Sequence, residues 1–165
     1  MERVGSYLRQ EAVRLLPQAE ADLFGRTAFN RFYYATYLEV RSGLSKMKAE
    51  WTGEMPHAMI PEILRGTVKK ELTKGRAKAL KADDHQLAAQ CASAASAAMD
   101  LAKLLDEGRQ VRVTADYYPE VLVNFARAPD FELNSVAVLS ASSWPYRARV
   151  FMQVISGVWR QVYVW

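Results

Sequence analysis

The sequence predicts an all-α protein, an up-and-down bundle of four to five helices with one irregular excursion. Three observations predict it. Apolar residues recur at three- and four-residue spacing along most of the chain. Pro17, Pro56 and Lys74-Gly75 punctuate those periodic stretches. Finally, Ala88 to Met99 is built mainly from alanine, the best helix former.

Taken in order, Ser6 to Leu16 reads as a first helix, with Leu8, Ala12, Leu15 and Leu16 at helical spacing and Pro17 as its stop. A second helix starts between Ala19 and Asp22 and runs to about Arg41, with Gly43 as an end signal. Gly25 inside it costs about 1 kcal/mol against alanine, so a kink or a close contact is expected there. His57 to Lys74 forms a third helix through Met59, Ile60, Ile63, Leu64 and Val68, broken at Lys74-Gly75 and followed by a short turn over Arg76 to Leu80. Asp83-Asp84 caps a fourth helix that runs to about Glu107 and stops at Gly108. Its alanines let another helix approach closely. Gln110 to Asn134 is irregular, with Val121–Phe125 and Phe131–Leu133 able to pair as a short hairpin or to form an ordered loop. A last helix begins between Ser135 and Ser143, with Ser143-Trp144-Pro145 as the capping signal, and runs to about Val162.

At 165 residues the chain is one domain by size and can bury a core without staples. Half of its residues are apolar and 24% charged, the balance of a soluble globular protein. A formal charge of +4 tolerates a polyanionic partner without requiring one. The single cysteine, Cys91, excludes an intrachain disulfide and any cysteine-rich zinc site, and fits a reducing cytoplasm. It reads as a small buried hydrophobe among alanines. No apolar run approaches the ~18–20 residues of a membrane span, and the first residues lack a secretory apolar stretch. A cytoplasmic chain without membrane association, metal or cofactor is expected.

The chemistry concentrates in Ala28 to Val40. Arg31 stands there among Phe29, Phe32, Tyr33, Tyr34 and Tyr37. On a helix, Phe29, Tyr33, Thr36 and Val40 form a stripe suited to a core, while Arg31, Tyr34, Ala35 and Leu38 form another. Two roles for Arg31 stay open: a stem packed on aromatics with its head at a carboxylate or in solvent, or a phosphate ligand. A basic run follows, Arg65, Lys69, Lys70, Lys74, Arg76, Lys78 and Lys81, against the single acid Glu71. It is either a solvated helix face or a track for a nucleic-acid backbone. Lys70, Lys74 and Lys78 share a face if the helix continues past Gly75. His57 and His85 lack the paired spacing of a helical metal site and read as helix-start residues.

Asn30-Arg31-Phe32-Tyr33-Tyr34-Ala35-Thr36-Tyr37 resembles the signature helix of the HEPN superfamily, where a pattern close to Arg-x-Tyr-Tyr-Ala-x-(aromatic)-His is common. Arg112-Val113-Thr114-Ala115-Asp116-Tyr117 resembles the Arg-x-x-Ala-Asp-Tyr segment that follows the long fourth helix in many members. The resemblance covers the chain to about Tyr118. It implies a helical bundle that forms a homodimer through its signature helices. Many members are metal-independent ribonucleases, found as toxins beside nucleotidyltransferase antitoxins or as antiviral defence effectors, in which an arginine and a histidine of that helix cleave RNA. The arginine carries over to Arg31. The histidine's place is Leu38, which cannot move a proton, and proton transfer near neutral pH contributes about 10²–10⁴ in rate. Tyr34 and Tyr37, the neighbouring hydroxyls, have a reference pKa of about 10.

The expectation is therefore a HEPN-like subunit of a toxin–antitoxin or defence system that binds RNA, a nucleotide or a protein partner and does not cut RNA. Asn30, Arg31, Arg112, Asp116 and Tyr117 from the two motifs, with Arg65, Lys69, Lys70, Lys74 and Lys78, are its candidate binding residues. Two alternatives stay open: a ribonuclease that uses Arg31 with a base such as His57 or His85, and a purely structural subunit.

Overall fold

The structure, a computed structural model, describes residues 1–53 and 55–163. Helix α1 spans Glu2–Arg14 and α2 Glu20–Met47, followed by a 3₁₀ turn at Ala49–Trp51. Helix α3, Met59–Ile63, runs through a π-helical turn at Leu64–Val68 into α4, Lys69–Lys81. Helix α5 spans His85–Tyr117, β1 and β2 are Glu132–Leu133 and Val136–Ala137, and α6 is Val138–Tyr163. With 78% of the described residues helical and a single two-stranded sheet among them, the class is all-α, a helical bundle with one small hairpin.

Three glycines read as stops in the sequence lie inside helices. Helix α2 continues through Gly43 to Met47, α4 through Gly75 to Lys81, and α5 through Gly108 to Tyr117. No glycine has a positive φ, so none ends a helix in the left-handed cap that the sequence reading assumed. Each is a point of contact. A Cβ on Gly43 would collide with Met152, one on Gly75 would come 2.8 Å from Val162 Cγ1, and one on Gly108 would come 3.0 Å from Tyr33 Cδ2. The expected break at Lys74-Gly75 is therefore absent, and Gln110 to Tyr117 is helix rather than irregular chain.

The hairpin is also placed differently. Glu132 pairs with Ala137 and Leu133 with Val136. Of the pairing expected between Val121–Phe125 and Phe131–Leu133, one bridge forms, Asn124 with Glu132. The connecting residues Asn134 and Ser135 have φ of 51° and 62°, the positive pair that a tight type I′ turn requires. Asn-Ser is a weaker signal for that turn than Asn-Gly, which hid it from sequence. Helix α6 starts at Val138, within the expected Ser135–Ser143 range, but Ser143-Trp144-Pro145 does not cap it, since Pro145 lies inside the helix. Its cap is remote: the Asp130 carboxylate accepts the Leu139 N–H at 3.0 Å. The Asp84 cap on α5 does form, accepting the Leu87 N–H at 2.9 Å.

The chain forms two compact units, Met1–Tyr37 with Glu107–Tyr146, and Leu38–Asp106 with the chain from Arg147 onward. In the first, Phe29, Phe32, Phe131, Leu133 and Trp144 are buried, with Phe131 against Phe29 and Phe125 at centroid distances of 6.0 and 4.9 Å. Burying each such ring contributes about 1.5–3 kcal/mol, more than the ~1 kcal/mol that Gly25 costs inside α2. Gly25 is itself a close contact, since a Cβ would sit 3.2 Å from Val123 Cγ2. In the second unit Leu44, Ile60, Leu64, Leu72, Leu101 and Ile155 are fully enclosed. Ala94, Ala98 and Cys91 are buried beside them, as tight alanine packing predicts. Trp159 packs at tilted angles between Trp51, at a centroid distance of 5.8 Å, and Tyr163, at 4.7 Å.

Candidate functional site

The first unit holds both motif segments. On α2, Phe29, Tyr33, Thr36 and Val40 are buried, while Arg31, Tyr34 and Ala35 are half-buried and Leu38 is 44% exposed. The division follows from helical period: one stripe enters the core and the other, carrying the charge, stays at the surface. Tyr37 is buried with its ring 6.4 Å from that of Tyr33, so of the two candidate hydroxyls only Tyr34 lies on the charged stripe. The Arg31 guanidinium lies 5.9 Å from the centre of the Tyr34 ring and 3.9 Å from Met1 Sδ. Among the described residues it pairs with no carboxylate.

The last turns of α5 bring the second motif to α2. Asn30 Nδ2 donates to Asp116 Oδ1, and Arg112 Nε lies 2.8 Å from Asp116 Oδ2. Arg112 also lies over Tyr117, 5.3 Å from its ring centre. Burial works against the Arg112 charge, but Asp116, Tyr117 and Tyr34 together outweigh it and move its pKa up. Asn30 Oδ1 is buried with no hydrogen-bond partner among the described residues. Asn30, Arg112, Asp116 and Tyr117 thus form one polar cluster, with Tyr34 close enough to Arg112 to act on its charge. The Tyr33 hydroxyl behind them is pushed up by burial, against the pull of Arg109 and Arg112.

A network that sequence reading missed holds this arrangement. Arg26 is 7% exposed. Its Nε donates to Asp22 Oδ2 at 2.6 Å, and its terminal nitrogens donate to the carbonyls of Thr114, Ala115, Tyr118, Pro119 and Val121. Asp22 Oδ1 accepts the Val123 N–H at 2.7 Å. The last carbonyls of a helix lack partners and carry the negative end of its dipole, so a buried cation there fixes where α5 ends. The Asp22–Arg26 spacing of four residues is the signal that would have flagged the pair.

The basic run lies in the second unit. Because α4 continues past Gly75, Lys70, Lys74 and Lys78 form one exposed row, flanked by exposed Lys69. Arg65, in the π-helical turn, is withdrawn from it by pairing with Asp106. Lys74 pairs with Glu71 at 2.7 Å, which lowers the Glu71 pKa together with a hydrogen bond from Tyr163. His85 is the exposed first residue of α5 and His57 is half-buried outside any helix. Among the described residues no three histidine, cysteine or carboxylate side chains gather to hold a metal ion, and no helix is long and apolar enough to cross a membrane.

No protein-family model matches the chain, and no curated protein or solved structure matches it either.

Proposed function

We propose that the chain is a HEPN-like subunit that binds RNA without cutting it, within a toxin–antitoxin or defence system. One observation carries the reading: Arg31 is the cation of the surface stripe of α2 and has no carboxylate partner among the described residues, while the proton-moving position seven residues on is Leu38. A guanidinium left without an acid retains its donors for a phosphate. Tyr117 and Tyr118, 65% and 48% exposed, offer faces on which bases stack. The exposed lysine row of α4 supplies further backbone contacts that carry no sequence information. In this reading two copies meet through the α2 surface stripe, where Leu38 is the exposed apolar side chain. A nucleotidyltransferase is the partner that the resemblance implies.

Anisotropy of a labelled single-stranded RNA, measured from low to moderate salt without metal, tests the proposal. Binding is expected to weaken with salt, and Arg31→Ala to reduce affinity by roughly tenfold and the salt slope by about one. The RNA is expected to remain full length on a denaturing gel. In sedimentation, the parent protein is expected to run as a dimer and Leu38→Glu as a monomer. RNA binding unaffected by Arg31→Ala, or cleavage that Arg31→Ala abolishes, refutes the reading.

A further inference from the structure

The second unit contains a concavity that the RNA-binding reading does not use. It lies between α2 and α6, has a volume of about 450 Å³, and its floor includes Gly43, Met152 and Trp159. The bare Gly43 backbone lets Met152 pack down onto α2. Met152 and Trp159 are almost wholly buried, so the floor they form is apolar. A volume of this size suits a small organic molecule, within the ~300–1,000 Å³ of ligand pockets. It does not suit a polymer.

The rim determines what kind of molecule. Lys46, Arg149 and Arg160 line it, against the single carboxylate of Glu39 among the described residues. Arg149 already answers Glu39, at 3.6 Å. Lys46 and Arg160 have no carboxylate partner among the described residues, and Arg160 Nε is held by the Ser156 carbonyl at 3.3 Å. The concavity therefore pairs an apolar floor with two uncompensated cations at its edge.

We propose that this concavity binds a small organic anion with an apolar body, seating the body on Met152 and Trp159 and the charge on Lys46 and Arg160. Neither half of the site suffices alone. An inorganic anion gains nothing from the floor, and a neutral hydrocarbon leaves the two cations unanswered.

Titration of the full chain with 1-anilinonaphthalene-8-sulfonate, followed by its fluorescence, tests this, with neutral N-phenyl-1-naphthylamine and inorganic phosphate as comparisons. Saturation at one site is expected. The Lys46→Ala/Arg160→Ala double variant is expected to bind about five- to tenfold more weakly, and Ser42→Trp, at the lining, to abolish binding. Both alter exposed positions, and unchanged melting temperatures check that the fold is intact. Amide shifts on binding are expected at residues 39–47 and 149–160. The proposal is overturned if the double variant binds as tightly as the parent, if the neutral amine binds as well as the sulfonate, if millimolar phosphate alone displaces the dye, or if the shifts fall elsewhere. Since none of these readouts involves RNA, failure here leaves the reading of Arg31 standing, and the reverse holds.

Discussion

Arg26 and Arg31 stand on one helix and do opposite work. Arg26 is sealed among Asp22 and the carbonyls at the end of α5, whereas Arg31 lies half-buried over Tyr34 with no acid partner among the described residues. Spacing on a helix tells which residues share a face, but whether a guanidinium on that face meets carbonyls or solvent depends on residues some ninety positions away. That is why Arg31 attracted a functional reading and Arg26 none. Removing one partner of a buried, hydrogen-bonded ion pair leaves the remaining groups unsatisfied and costs about 3–5 kcal/mol. Arg26→Met is therefore expected to lower the unfolding free energy by about that amount in urea titrations, and Arg26→Lys to recover only part of it, because an ammonium lacks the planar fork. A loss below about 1 kcal/mol would show that the network is not what holds the end of α5.

At the scale of elements, glycine was the least legible residue. Gly43, Gly75 and Gly108 carry the same letter that ends many helices, yet here each yields room to a neighbour. What distinguishes the two roles is the backbone angle and the neighbour, and neither is a local property. The remaining glycines give a paired prediction. At Gly66, in the π-helical turn, nothing lies within 4 Å of an added Cβ, so Gly66→Ala is expected to stabilise by about 0.5–1 kcal/mol through the unfolded chain. At Gly5 the added Cβ would come 2.8 Å from the buried Phe32 ring, so Gly5→Ala is expected to destabilise by about 1–3 kcal/mol through overpacking. Thermal unfolding of both variants should shift the midpoint in opposite directions. Shifts of the same sign would contradict this account of the glycines.

For the molecule as a whole, pH response follows from two tyrosines. The pKa values of Tyr33 and Tyr163 both lie well above the usual 10, raised first by burial and, for Tyr163, also by its hydrogen bond to Glu71. A group whose folded pKa is raised adds stability in full below its unfolded pKa and loses it as pH rises through the folded value. Stability is therefore expected to begin falling near pH 10 and to keep falling above it, because the unfolded chain releases these protons first. In an absorbance titration of the protein, Tyr33 and Tyr163 are expected to ionise above pH 10. Ionisation of Tyr33 at the usual tyrosine value, read from its loss in Tyr33→Phe, would contradict the burial argument. The sequence by itself determined the helical class, the buried stripe of α2, the Asp84 cap and the buried Cys91, because helix period, propensity and capping act within a few residues. Only the tertiary structure decided that α5 runs on to Tyr117, that Asp130 starts α6, that Arg26 is sealed while Arg31 keeps its donors, and that Gly43 floors a concavity. Each depends on groups brought together from distant parts of the chain, and local spacing carries no record of them.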